Sequence, residues 1–172
     1  RGFRSSVING FSSTSCLVSV IVIEADDEDV YLSWIGGGLG IGVAGGFNLL
    51  INDPEITLAT FEGWQYYRKY LNDPTLEKLR GNQINSWNGQ WLTYKFGKNY
   101  STDFNFFDLE QERIFKVDTA LAEVNTVNWS NLFFSLSNQF PERTMNAYVY
   151  SFGQTNKTIG FIPIYLKEGR RL

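Results

Sequence analysis

Four carboxylates near the middle of the chain are the side chains best suited to catalysis. The 172-residue sequence has no histidine and a single cysteine, which excludes imidazole bases, His-dependent triads and paired-cysteine metal sites. The carboxylates cluster within ten residues: Asp103, Asp108, Glu110 and Glu112. On a strand the last three would share one face, where they could bind Mg²⁺ or divide the acid and base roles of a glycosidase. One alternative is therefore a carboxylate-based hydrolase or nuclease, with Mg²⁺ in its metal-dependent form.

The neighbours of these carboxylates favour a different interpretation. Arg113 and Lys116 follow at once, which is typical of a charged, solvated strand face. The sequence therefore favours a protein that is not an enzyme, and it predicts no cofactor and no metal site.

The segment 82–98 is rich in aromatic and amide side chains. Asn and Gln both donate and accept hydrogen bonds, which matches sugar hydroxyls and base edges. Aromatic rings stack on sugars or bases, and nearby lysines add charge. We therefore predict a ligand surface formed by eight residues: Asn85, Trp87, Asn88, Gln90, Trp91, Tyr94, Lys95 and Lys98. In the competing interpretation, core packing, the segment is a strand in which Leu92, Tyr94 and Phe96 pack inside while Trp91, Thr93 and Lys95 face the other side.

This surface favours a non-catalytic recognition or assembly module. The expected partner is a protein, a peptide or a glycan, and nucleic acid is an alternative because residues 64–98 hold six cations. The net charge of −3 excludes a basic field over the whole protein. Residues 5–67 contain eight acids and neither Lys nor Arg. This uneven distribution would allow head-to-tail contact between copies, so a homo-oligomer is a further expectation.

A glycine-rich stretch supplies a third functional alternative. Residues 30–51 carry no charge and are long enough to cross a bilayer, which suggests lipid or membrane interaction. Seven glycines dilute the hydrophobicity, so a membrane is the less favoured partner. Residues 40–45 match GxGxxG, but a dinucleotide site needs a long helix directly afterwards, and the next element begins too soon. Alternation of Leu39, Ile41 and Val43 with glycine predicts a strand that another element approaches closely.

Local signals place the elements that would carry these residues. Residues 16–23 are apolar and β-branched, which predicts a buried strand. The acids at 26–29 predict a turn, and alternation over 30–35 predicts the returning strand of a hairpin. Asp53 followed by Pro54 predicts the start of a helix that continues to about residue 71. A second Asn-Asp-Pro at 72–74 predicts a short helix over 75–80.

From residue 83 onward the sequence predicts mostly β structure. Residues 119–138 are ambiguous, with a helical tendency in their first half, and residues 147–152 and 158–166 predict a closing hairpin. The predicted fold class is α+β. We expect a single domain over residues 1–172, dominated by antiparallel β structure in a sheet or barrel-like arrangement, with one or two short helices around residues 54–80.

Overall fold

The fold is an α+β arrangement of helices and antiparallel sheets. The structure is a computed structural model. It describes residues 12–14, 17–19, 26–101, 114–117, 122–151 and 157–167, the first two ranges and residue 117 by their backbone alone. The described elements, in chain order, are β1 Ser12–Thr14, β2 Leu17–Ser19, α1 Asp27–Gly38, β3 Ile41–Val43, β4 Phe47–Ile51, α2 Pro54–Leu71, α3 Ile84–Lys95, β5 Phe115–Val117, β6 Ala122–Val124, α4 Trp129–Gln139, β7 Thr144–Ser151 and β8 Lys157–Tyr165.

The largest sheet has four antiparallel strands in the order β3-β4-β7-β8. Leu49 lies between Ile41 and Val149 in register, and all three side chains are buried. This inward face of the sheet belongs to one hydrophobic cluster with the buried side chains of α2, α3 and α4. Two smaller sheets are formed by β1 with β2 and by β5 with β6.

Helix α2 begins where the sequence predicts. Asp53 Oδ1 accepts hydrogen bonds from the backbone N–H groups of Glu55 and Ile56, at 3.0 and 3.2 Å, and Pro54 occupies the first turn. The predicted end near residue 71 is confirmed. The second Asn-Asp-Pro starts only a 3₁₀ turn, Pro74–Leu76, so the predicted helix over 75–80 is wrong.

The region predicted to be a hairpin of residues 16–35 contains a helix instead. Asp26 and Asp29 form a reciprocal capping box, and the acids that follow Asp26 occupy the first turn of α1. Negative charge is stabilised there by the helix dipole, so the acidic run starts a helix rather than a turn. Leu17–Ser19 does form a strand, paired with Ser12–Thr14, and the rest of the predicted strand lies outside the described residues.

Helices contribute more residues than strands, so the expectation of a fold dominated by β structure is overstated. Residues 84–95, predicted as β structure, form α3, and α4 lies in the region that the sequence left ambiguous. The closing hairpin is confirmed, because β7 pairs antiparallel with β8.

The glycine-rich stretch is divided between two elements. Its first part ends α1, and the predicted strand is confined to Ile41–Val43. Gly45 and Gly46, at φ 95° and 77°, then turn the chain directly into β4, so GxGxxG leads to a hairpin and not to a phosphate-binding helix. Among the described helices, none is both long enough and apolar enough to cross a membrane.

Helix α3 contacts β3 at two glycines. A Cβ on Gly42 would lie 2.9 Å from the backbone carbonyl carbon of Asn85, and a Cβ on Gly89 would lie 2.6 Å from the carbonyl oxygen of Gly42. The two backbones touch because neither position has a side chain.

Candidate functional site

The residues predicted to form a ligand surface lie on α3, whose helical spacing places several aromatic side chains on one side. Trp87, Trp91 and Tyr94 follow one another at intervals of four and three residues. Trp87 and Trp91 are 0% and 1% exposed, and Tyr94 is partly buried against the same cluster. The two indole rings are therefore part of the core and are not exposed for stacking on a ligand, and the segment that carries them is a helix and not the strand of the competing interpretation.

Both indole N–H groups are used inside the protein. Trp87 Nε1 donates to the carbonyl of Gly63, and Trp91 Nε1 donates to the carbonyl of Ala59, each at 2.8 Å. Gly63 lets the ring of Trp91 approach α2, since a Cβ there would lie 2.4 Å from Trp91 Cδ1. The tryptophans thus join α3 to α2.

A stack of aromatic rings continues this contact. The ring centroid of Trp87 lies 5.8 Å from that of Tyr67 and 6.3 Å from that of Trp91, both in stacked orientation. Tyr70 meets Trp87 edge-on at 5.2 Å. Burial raises the pKa of Tyr67 and of Tyr70, and the charge of Asp73 adds to the rise at Tyr70.

The predicted amide ligands bind the backbone of the protein itself. Asn85 Nδ2 donates to the carbonyls of Gly37 and Gly40, both at 2.8 Å. Asn88 Nδ2 donates to the carbonyls of Gly38 and Gly40, at 2.7 and 2.8 Å. Carbonyls at a helix C-terminus lack intrahelical partners, so these two amides cap α1. Asn88 is fully buried, and its Oδ1 accepts a hydrogen bond from Trp64.

Two glutamines, Gln83 just before α3 and Gln90 within it, also bind backbone groups of the protein. Gln90 Nε2 donates to the carbonyl of Asn125 at 2.7 Å. The side-chain amide of Gln83 bridges the two ends of β6. Its Nε2 donates to the carbonyl of Ala122, and its Oε1 accepts a hydrogen bond from the backbone N–H of Val124. The amide-rich composition of the segment therefore reflects docking of α3 onto α1 and β6.

The two lysines differ in their surroundings. Lys95 Nζ lies 2.8 Å from Glu62 Oε2 and 3.4 Å from the hydroxyl of Tyr100. Partial burial opposes its charged form, but the hydrogen bonds to Glu62 and Tyr100 outweigh this, and the pKa of Lys95 is raised. Lys98 is exposed and lies 5.6 Å from the ring centroid of Phe134. Of the predicted set, Lys98 is the one whose charge faces solvent most openly.

The predicted carboxylate site lies outside the described residues: Asp103, Asp108, Glu110 and Glu112. In the part of the chain that the structure describes, no group of three or more acidic or cysteine side chains is placed to hold a metal ion.

An exposed aromatic surface occurs instead on the outer face of β7 and β8. We use "outer face" for six residues paired in register: Thr144 with Tyr165, Asn146 with Pro163, and Tyr148 with Phe161.

The rings of the outer face lie in contact with one another. Phe161 is 80% exposed, and its ring centroid lies 5.3 Å from that of Tyr148. Tyr148 stacks on Tyr150 at 5.6 Å, and its hydroxyl lies 2.9 Å from Thr158 Oγ1. Burial raises the pKa of Tyr150 to about 12, with a further contribution from Tyr148.

Sequence reasoning missed this surface although it predicted the hairpin. The two predicted strands do not place Tyr148 opposite Phe161, because the observed pairing includes a register shift between Val149 and Tyr150 that the sequence does not reveal. The chain matches no family model, no curated protein and no solved structure.

Proposed function

We propose that this protein is a non-catalytic recognition module that binds a neutral glycan on the outer face of β7 and β8. The main support is the ring of Phe161, which is 80% exposed and lies beside Tyr148 on the antiparallel pair of β7 and β8. Large apolar groups that remain exposed together mark interaction sites more often than isolated ones do.

The chemistry of the outer face suits sugars. One face of a pyranose ring presents C–H groups that pack on an aromatic ring, and its rim presents hydroxyls. Asn146, Thr144 and the hydroxyl of Tyr165 offer donors and acceptors beside the rings of Tyr148 and Phe161. These are the pairings expected for a neutral polysaccharide.

The charge of the hairpin supports a neutral ligand over nucleic acid. Within β7 and β8, which are described in full, Lys157 is the single charged residue, at the end of its strand. Single-stranded nucleic acid is bound by aromatic platforms that lie beside a positively charged groove. The cations of residues 64–98 lie on other elements, and Lys95 among them is paired with Glu62.

Affinity electrophoresis in gels that contain soluble neutral polysaccharides (hydroxyethylcellulose, glucomannan, xylan or laminarin) tests the proposal. The wild-type protein should be retarded by at least one of them. Phe161→Ala should weaken binding by at least about fivefold, since a lost stacking ring is worth about 1–3 kcal/mol. Its thermal midpoint should hardly change, because Phe161 is mostly exposed.

Phe134→Ala is the matched control, because Phe134 is an exposed phenylalanine on α4. It should leave retardation unchanged. The proposal is rejected if none of the polysaccharides retards the protein, or if Phe161→Ala binds as the wild type does. A mobility shift with oligo(dT) that Phe161→Ala removes would assign the outer face to nucleic acid instead.

A further inference from the structure

Helix α1 is folded without burying any of its side chains. All twelve of its residues are described, and none is buried. Four large apolar side chains, Tyr31, Leu32, Trp34 and Ile35, are each 44–59% exposed. The helix is held at its two ends, by the capping box at Asp26 and by the two asparagine amides of α3. A helix of this length is marginal in water without tertiary packing, so these side chains need a partner surface.

A largely apolar groove, suited to the apolar side chains of α1, lies next to the C-terminal end of that helix. Its volume is about 440 Å³, and its lining includes Leu39, Pro54, Leu58 and Phe61. Leu58 and Phe61 are 60% and 57% exposed, so the chain's own α1 does not fill the groove. Gln65, Arg68 and Lys69 are also exposed and continue along α2 from Phe61.

The charges and spacing of the two helices match. At the start of α1, the acids Asp26 to Asp29 precede the apolar side chains of that helix. On α2 the order is reversed, because the cations Arg68 and Lys69 follow the apolar side chains that line the groove. Glu28 and Ile35 are separated by seven residues, as are Phe61 and Arg68, and both intervals correspond to about 10.5 Å of helix. An α1 placed antiparallel to α2 with Ile35 near Phe61 therefore brings Glu28, in its acidic first turn, beside Arg68.

We propose that α1 of one copy packs in the α2 groove of a second copy and that the exchange is reciprocal. Leu39 follows α1 directly and lines the groove, so each helix lies next to the groove that receives its counterpart. A two-fold dimer of this kind uses the same surface on both copies. The acidic turn of α1 disfavours an anionic membrane as the occupant. This inference is independent of glycan binding, because its measurement is the oligomeric state.

Sedimentation equilibrium of the full chain over a range of concentrations tests the dimer. Leu32→Glu should give a monomer, and circular dichroism should show that its fold is retained, because Leu32 is exposed. Glu28→Lys and Arg68→Glu should each raise the dimer Kd about fivefold or more, with a smaller effect at high salt. The double variant should return the Kd to within about twofold of the wild type.

Arg80→Glu is the matched control, since Arg80 is an exposed cation away from the groove, and it should leave the Kd unchanged. A wild-type protein that is monomeric at every concentration would overturn the proposal. The same holds if the two single charge reversals have no effect or if their combination fails to restore the dimer. Flotation of a monomeric protein with phosphatidylcholine vesicles would assign α1 to a lipid surface instead.

Discussion

Adding one methyl group to Gly63 should destabilise the protein, although glycine-to-alanine changes inside helices usually do the opposite. A Cβ at this position would lie 2.4, 2.6 and 2.9 Å from Cδ1, Cγ and Nε1 of Trp91. These atoms lie at the root of a rigid ring. The ring has little freedom to move, because its centroid lies 4.7 Å from that of the Tyr66 ring and its Nε1 donates a hydrogen bond to the carbonyl of Ala59.

The change in unfolding free energy is the balance of two destabilising contributions and one stabilising contribution. The ring of Trp91 would have to move by about 1 Å to reach the 3.4 Å of an ordinary contact. Overpacking of this kind costs about 1–3 kcal/mol, and a weakened buried indole hydrogen bond adds about 1–3 kcal/mol. The higher helix propensity of alanine returns about 1 kcal/mol. Gly63→Ala should therefore lose about 3 kcal/mol of unfolding free energy, with a fall in Tm of roughly 6–12 °C.

Urea denaturation followed by circular dichroism measures this loss. Gly36→Ala is the matched control, because Gly36 is also helical and a Cβ there would meet nothing within 4 Å. It should be neutral or stabilising by up to about 1 kcal/mol. If Gly63→Ala is as stable as Gly36→Ala, the packing argument for α2 and α3 is refuted.

Two further predictions concern the amide cap of α1 and the buried phenols. Asn88→Ala should lower the free energy of unfolding in urea by about 2–4 kcal/mol, because it leaves two carbonyls and the indole N–H of Trp64 without this partner. The exposed control Asn146→Ala should lower it by less than about 0.5 kcal/mol. Equal urea midpoints for the two variants would contradict the role of Asn88 as a cap. Burial raises the pKa of Tyr150 in the folded state. The contribution of this phenol to the free energy of unfolding is therefore fully present below pH 10, where the phenol is protonated in both states, and it is lost as the pH rises towards 12. Tyrosinate absorbance should show that three of the nine tyrosines ionise only as the protein unfolds, whereas all nine titrate together in concentrated urea; early ionisation of all nine in the folded protein would refute this. The three are Tyr67, Tyr70 and Tyr150.

The parts of the fold that sequence predicts well are those fixed by neighbouring residues. Asp53 and Pro54 define the start of α2 through contacts within one turn, and the closing hairpin follows from two β-rich runs around a polar loop. The same Asn-Asp-Pro signal at 72–74 produces only a 3₁₀ turn. A good N-terminus therefore does not by itself make a helix long, because most helical stability comes from packing of the turns that follow.

The composition of α3 predicts a strand because it is rich in residues that are common in sheets. Tryptophan and tyrosine are enriched in sheets, and asparagine and glycine are poor helix formers. What makes the segment helical is tertiary: Gly63 receives the ring of Trp91, and the carbonyls at the end of α1 receive Asn85 and Asn88. These partners lie tens of residues away, so no local pattern contains them.

The outer face could not be identified from β8 alone. Residues 161–165 are apolar on both sides of the strand, so no alternation distinguishes Phe161 from Ile164. The difference arises from the sheet, because Ile164 faces the hydrophobic cluster and Phe161 faces away.

The contact between Gly42 and Gly89 also limits how this protein can evolve. A side chain at either position would separate α3 from β3, and a Cβ on Gly89 would also lie 2.8 Å from Val127 Cγ2. A substitution at one of these glycines therefore cannot be compensated by a second substitution at the other glycine alone. Distant relatives that keep this fold should retain glycine at both sites while the surrounding surface diverges. The two glycines, together with the buried tryptophans of α3, form a signature by which such relatives can be recognised.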